Sequence, residues 1–412
     1  MTNLVCSIVP IEPSNKRVLL CNVVMMVVLL SSALLLASSF LTVGFHQLPI
    51  LKNDGLDSVK LPLQDNCQLP ILRKNNSDSG ILRQPDKCQV RCKPAGSEPL
   101  PKGIVSRTSD LEMEPSLGSH ETKSLEIKKQ GNKKASKSLL AIPVGIKQKE
   151  IVNSIVSKFP SSHFVVMLFH YDGVVDKWRD LHWSDGALHV SAINQTKWWF
   201  AKRFLHPDIV AAYDYIFLWD EDLGVENFHP LRYISIVNRE GLEISQPALD
   251  LKSQFHHRIT ARSNKGDVHR RMYKSKGGGR CYENSTRPPC TGWVEMMAPV
   301  FSRAAWQCVW HLIQNDLIYA WGLDYKLGYC AQGDRTLNVG VVDSEYVFHK
   351  GIPTLGGNDK KVLTRATASK ENDRLAVRLR SYAELKMFNK RWNKAAKEDE
   401  CWVDPYPEPD KA

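Results

Sequence analysis

Asp220, Glu221 and Asp222 stand together at the end of the short apolar run Ile216-Phe217-Leu218-Trp219. Three neighbouring carboxylates repel one another and raise one another's pKa, so a positive partner is expected beside them. In an extended segment, residues two apart project to the same side. Asp220 and Asp222 can therefore address one cation while Glu221 turns away. Carboxylate oxygens favour Mg²⁺ or Mn²⁺, and such an ion can bridge protein to a diphosphate and neutralise a departing phosphate. The plainer reading is a polar turn whose acids cap a helix or face water. An apolar strand running straight into the acids tilts the balance toward an ion site.

The elements that would position these acids are legible around them. Leu139–Ile146 reads as a buried strand, and Lys147–Phe159 carries apolar residues at 151, 152, 155, 156 and 159, a helical spacing. His163–Gly173 and Asp214–Asp220 are β-rich, with a helix between them over Thr196–Leu205. His229–Glu240 reads as a helix and Leu242–Leu249 as a strand. Strands alternating with helices predict a Rossmann-like α/β fold with a mostly parallel central sheet and flanking helices. Such sheets bind ligands beyond the carboxyl ends of their strands, where the three acids lie. Further on, Arg303–Ile313 reads as a helix and Val339–Gly351 as β-rich. Leu375, Leu379, Tyr382, Leu385, Phe388 and Trp392 form a helical stripe that is expected to dock on the core.

The first part of the chain bears on compartment. Val18 to Leu51 contains no Asp, Glu, Lys or Arg, and its core, residues 18–45, exceeds the roughly 20 residues that cross a bilayer. A single transmembrane signal-anchor is expected there, with a long cleaved signal peptide as the alternative. Lys16 and Arg17 at its start place residues 1–17 in the cytosol and the rest in the lumen. A flexible stem over 46–138, rich in Pro, Ser, Gly, Asn and Lys, would separate the anchor from a globular domain over 139–357, followed by a helical extension over 358–412. Sequons at Asn75, Asn194 and Asn284 and eight of the ten cysteines follow the anchor, consistent with an oxidising lumen. Cys281 and Cys290 bracket a short loop rich in turn formers and are the expected disulfide pair. Cys88 and Cys92 have no second close pair, which argues against zinc.

The formal charge is +11, and Lys252 to Arg280 alone holds nine Lys and Arg against one acid, Asp267. The basic character is thus local, and no general nucleic-acid surface is expected. Arg258, Arg262, Arg270 and Arg271 in that stretch suggest either a lid over a donor diphosphate, a solvated loop, or a contact for an anionic acceptor.

The stretches FLWDEDLG, ISQPALD, EMMAPVFSRAAW, WGLDYKLGYCAQGDR and VFHKGIPTLGG resemble a plant family labelled "lysine-ketoglutarate reductase trans-splicing related", over roughly Leu139 to Gly357. Nothing in the residues speaks for RNA work or lysine metabolism: Gly277-Gly278-Gly279 follows a basic loop, not a strand, so no dinucleotide fingerprint is present. The layout and the Asp-x-Asp signature also resemble Golgi glycosyltransferases of the GT-A type. That resemblance implies a GT-A-like fold and a Golgi or other secretory-membrane enzyme using a nucleotide-sugar donor and a glycan or cell-wall acceptor. It implies Asp220 and Asp222 as the pair that binds metal and nucleotide sugar, and His349 as a further ligand to Mn²⁺ or Mg²⁺. Lys350 could meet a phosphate. Trp321-Gly322-Leu323-Asp324 resembles acceptor-side segments in which a carboxylate takes the acceptor's proton. Asp324 is then the first candidate base, unless it is only a helix N-cap. Glu295, whose apolar surroundings would raise its pKa, is the second, and Asp334 the third. Trp321 and Trp293 could stack on a sugar. The alternative function is a non-catalytic luminal glycan-binding or scaffolding protein with the same fold.

Overall fold

A computed structural model describes residues 93–106, 109, 137–253, 257–271, 281–282, 285–352 and 365–406, with side chains in the last segment described from 375. The anchor expected over 18–45 and most of the stem lie outside these residues. No described helix is long and apolar enough to cross a membrane.

Among the described residues nine strands form the sheet: β1 (Lys137–Val144), β2 (Phe164–His170), β3 (Leu188–Ser191), β4 (Tyr213–Leu218), β5 (Leu223–Gly224), β6 (Ile244–Leu249), β7 (Val268–His269), β8 (Val300–Ser302) and β9 (Val339–His349). Their order is β3-β2-β1-β4-β8-β6-β9-β5, with β7 also on β9. The first four strands are mutually parallel, as are β6 and β9. β8 runs antiparallel to both β4 and β6, and β5 and β7 run antiparallel to β9. The protein is therefore a mixed α/β fold whose longer strands run parallel, with β5, β7 and β8 against them. Three of its strands, β5, β7 and β8, are only two or three residues long, too short to show a period in the sequence.

The helices are α1 (Lys149–Val156), α2 (Lys197–Phe204), α3 (Pro230–Glu240), α4 (Arg303–Leu312), α5 (Asp324–Leu327), α6 (Arg335–Asn338) and α7 (Arg365–Glu398). Alternate residues of β1 feed two cores, as the pleat requires. Leu139 and Ala141 pack with α2, α4 and α7 through Phe200, Trp306, Trp310, Phe388 and Trp392. Leu140, Ile142 and Val144 pack with α1 and α3 through Val152, Ile155, Tyr233 and Val237. Each of these buried Val, Leu, Ile and Phe side chains contributes about 1.5–3 kcal/mol against exposure. Local signals place the helix ends: Thr196 and Ser302 accept N-cap hydrogen bonds, and Gly241, at φ 65°, closes α3.

Two expectations are corrected. Residues 93–106 are not stem. Leu100 and Ile104 are buried in the first core, and Trp402 and Gln314 donate to Pro99 O and Ile104 O. The buried Lys202 donates to Ser106 O and Trp310 O from above the Trp310 ring. These partners lie far away in sequence, so local composition could not reveal them. The second correction concerns α7. Leu375, Leu379 and Tyr382 are exposed. Phe388 and Trp392 of the expected stripe do dock, and the rest of the docked face is Ser381, Glu384 and Ala395. Its polar members bond locally or to backbone: Ser381 Oγ donates to Val377 O at 2.9 Å, and Glu384 accepts from Tyr319 N and Ala320 N at 2.8 and 3.2 Å. The two buried polar positions, bonded to backbone, carry no apolar signature.

Candidate functional site

The chain winds from β1 outward through β2 and β3, then returns to place β4 on the other side of β1. The gap beyond the carboxyl ends of β1 and β4 is a topological switch point, where open α/β sheets hold ligands. A cavity of about 560 Å³ lies there, and Pro143, Lys197, Asp220, Asp222, Trp321 and His349 are among its lining residues. The strand-end acids thus face a cleft, together with the histidine that lies far on in the sequence.

Short-range structure sets each acid. Trp219 N donates to Ala141 O at 3.1 Å and Asp220 N to Met297 O at 2.8 Å, which fixes the chain as it leaves β4. β5 then pairs with the end of β9, with Leu223 facing His349. That ladder brings His349 Nε2 to 3.3 Å from Asp222 Oδ2. Asp222 is held again by Lys350 N on its carbonyl, 3.0 Å, and by Ile352 N on Oδ2, 2.9 Å. Lys350 contributes its backbone N–H here.

The positive partner expected beside the acids is Lys197, at the start of α2. Its Nζ is 2.6 Å from Asp220 Oδ1 and also donates to Met296 O. Sequence reasoning missed it, because a lysine opening a helix after a sequon carries no signal of its own. Burial raises the pKa of Asp220; Lys197 opposes this and Asp222 adds to it. Glu221 does turn away from the pair. It accepts from Gly145 N at 2.7 Å and from the Tyr171 hydroxyl, tying β4 to the ends of β1 and β2. Gly145 is needed at that point, since a Cβ there would collide with the Tyr171 hydroxyl.

Burial pushes the Glu221 carboxyl up to about 8 from an ordinary 4.5, so it is protonated at neutral pH. A carboxyl with a raised folded pKa disfavours the folded state as it ionises. Wild-type stability is therefore expected to fall as pH rises from about 4.5 through about 8 on account of this group. Glu221→Gln, which cannot ionise, removes that fall. Thermal melts of both proteins between pH 5 and 9 measure it, and parallel curves would refute the assignment.

The two candidate bases lie side by side. Glu295 accepts from Thr260 Oγ1 at 3.0 Å, and His257 Nε2 stands 3.6 Å from its other oxygen. Burial raises it to about 7; Thr260 and His349 pull it down, while Asp220 and Asp324 push it up. Glu295 thus feels the cavity acids on one side and Asp324 on the other. Burial also raises Asp324 to about 6, against hydrogen bonds that lower it. It opens α5 and accepts from Tyr325 N at 3.1 Å, so the capping role and the titratable role coexist. Neither carboxyl lines the cavity, but Glu295 is the one that interacts with Asp220 and His349, which ranks it above Asp324 as the candidate base. Asp334 belongs elsewhere: it caps α6 by accepting from Thr336 N at 2.8 Å. Trp321 lines the cavity, whereas Trp293 is buried and packs its ring on His257 and Tyr325.

The basic stretch is not a free lid where it is described. Arg262 donates to Asp343 O and stacks on Tyr346, Arg270 donates to Leu337 O and Glu240, and Arg271 donates to Ser285 O. The disulfide Cys281–Cys290 forms as its spacing suggests, and Cys308–Cys330 joins α4 to the segment after α5.

Asp222 and His349 fit a hard divalent ion. Two neighbouring ligands on an octahedral ion with bonds of about 2.1 Å stand about 3 Å apart, close to the 3.3 Å between their donor atoms. Asp220 fits less well while Lys197 holds it. Among the described residues no group of three or more His, Cys, Asp and Glu is arranged to hold a metal, so an ion here would draw its remaining ligands from phosphate and water.

A model of the family described as "Protein of unknown function (DUF707)" matches residues 91–398. No curated protein matches the chain. Among solved structures it is similar to TarS of S. aureus, at 12% identity and a TM-score of 0.32, over 53% of this chain and 37% of that one. It is also similar to TarS 1-349 of S. aureus in complex with UDP, at 10% identity and 0.35, over 53% and 61%. A third is the glycosyltransferase GlyE of Streptococcus pneumoniae TIGR4, at 11% and 0.29, over 67% and 66%. The match thus spans 37% and 61% of the lengths of the two TarS chains.

Proposed function

We propose that this chain, which belongs to the family described as "Protein of unknown function (DUF707)", is a glycosyltransferase that moves a sugar from a nucleotide-sugar donor to a glycan or cell-wall acceptor. One observation carries the reading: Asp220, Asp222 and His349 converge on a cavity at the switch point of the sheet, and the half-buried Glu295, itself coupled to Asp324, has a raised pKa and interacts with Asp220 and His349. Perturbed acids grouped at a cleft are the mark of a site that moves protons.

Asp222 and His349 would hold Mn²⁺ or Mg²⁺, and Lys197 pairs with Asp220 on the cavity floor. When bound, the ion supplies positive charge to the departing diphosphate. The acceptor hydroxyl oxygen forms a bond to the anomeric carbon of the donor. The bond from that carbon to the diphosphate oxygen breaks, and its electron pair leaves with the diphosphate. The hydroxyl proton passes to a Glu295 carboxylate oxygen, with Thr260 and His257 holding the side chain in place. Trp321 offers an aromatic face to the sugar. A secretory-membrane setting belongs to the same proposal: the uncharged run over 18–45 and the disulfides Cys281–Cys290 and Cys308–Cys330 support it.

A second reading is a non-catalytic luminal glycan-binding module. The Lys197–Asp220 pair favours it, because that lysine already occupies one expected ligand. A panel of UDP- and GDP-sugars, incubated with Mn²⁺ and the purified full-length chain, separates the two. Release of nucleoside diphosphate from at least one donor is expected. No release from any donor, with glycan binding intact, would leave the module.

A further inference from the structure

The candidate cavity has a wall that sequence reading placed outside the site. Val377, Arg378 and Ser381 of α7 line it. The helix is fixed there: Glu384 holds Tyr319 N and Ala320 N, and the Tyr382 ring packs on Trp321 at 5.1 Å. Tyr319 and Trp321 line the same cavity.

The acids on the floor are largely compensated within the protein. Asp220 is paired with Lys197. Glu221 accepts from Gly145 N and from the Tyr171 hydroxyl. Asp222 accepts from Ile352 N and lies against His349. Arg378 is different. It is exposed to the cavity and has no hydrogen bond or ion pair among the described residues, whereas Arg380 on the same helix pairs with Glu384. A cavity that reads as acidic in sequence thus presents an uncommitted guanidinium to a ligand.

We propose that Arg378 is an anion-binding residue of this cavity and takes the diphosphate of a nucleoside diphosphate through paired N–H donors. The inference rests on the donor-site reading above and makes α7 part of that site rather than an extension beside it. A guanidinium fork matches the oxygens of a phosphate where a lysine offers only a point charge.

Calorimetric titration of the purified full-length chain with UDP, GDP and inorganic pyrophosphate, each with Mn²⁺, tests it. Arg378→Ala is expected to weaken both a nucleoside diphosphate and pyrophosphate about 10- to 100-fold, the range for a charge-assisted hydrogen bond. The salt dependence of binding should also flatten. Arg378→Lys should recover part of the loss. Lys386→Ala, an exposed cation further along the helix, should bind as wild type. Since Arg378 is exposed and alanine favours helix, folding is not at risk. Unchanged binding by Arg378→Ala, where wild type binds, overturns this inference alone. Weakening confined to the nucleoside diphosphates overturns the diphosphate assignment in favour of a contact to base or ribose. Wild type that binds none of the three probes overturns the donor site itself and this proposal with it.

Discussion

Asp222→Ala is expected to lower donor turnover about 100- to 1,000-fold, the cost of removing one fixed charge from a site that stabilises a leaving group. The side chain is buried, and its Oδ2 meets both Ile352 N and His349 Nε2. Its removal therefore also leaves a backbone donor unpaired, at a cost of about 1–3 kcal/mol in stability. Asp222→Asn separates the two effects. The amide oxygen can still accept from Ile352 N, so the fold is retained, but the charge is gone. The asparagine variant should melt within a few degrees of wild type and yet lose turnover to a similar extent. Retention of turnover within threefold by Asp222→Asn would remove the charge from the mechanism. Adding Mn²⁺ should raise the melting temperature of wild type more than that of either variant, since a ligand stabilises only the state that binds it.

Glu295→Gln is the second large effect, an expected loss of about 100- to 10,000-fold in turnover for a general base. The glutamine carbonyl can still accept from Thr260 Oγ1, so the side chain stays in place while the basic atom is lost. Two pH signatures accompany it. Wild-type turnover should rise with pH through about 7, where Glu295 ionises. Stability should move the other way. The folded pKa lies above the ordinary 4.5, so this group's penalty appears as pH climbs from about 4.5 to about 7 and then levels off. The full shift corresponds to about 3 kcal/mol. Glu295→Gln should therefore be inactive and, above pH 7, more stable than wild type in urea unfolding. A variant that loses activity with no stability gain at high pH would point to ordinary disruption. If Asp324→Asn abolishes turnover while Glu295→Gln spares it, the base is Asp324.

Both predictions depend on residues that differ in how far the sequence announced them. Asp220 and Asp222 were visible because an apolar run broke abruptly into charge, and a strand's pleat alone puts i and i+2 on one side. Lys197 and Arg378 were invisible. Each is one cation among many, and its meaning comes only from what it does or does not pair with: Asp220 in one case, no described partner in the other. Glu295 was picked out as an acid in an apolar run, but its rank over Asp324 needed to be read from its neighbours Asp220 and His349.

The amino-acid sequence by itself determined the alternation of strands and helices, most of their bounds, and the acids at the end of β4. Those are local matters of side-chain period, cap and charge, which act within a few residues. Tertiary structure decided that β8 runs backwards through the sheet, that 93–106 pack into the core, and that α7 buries Ser381 and Glu384 beside its apolar Phe388 and Trp392 and turns one turn to the cavity. Each of these is a pairing of segments tens or hundreds of residues apart. Such pairings are chosen by the burial and hydrogen bonding of the whole chain, which no short window contains.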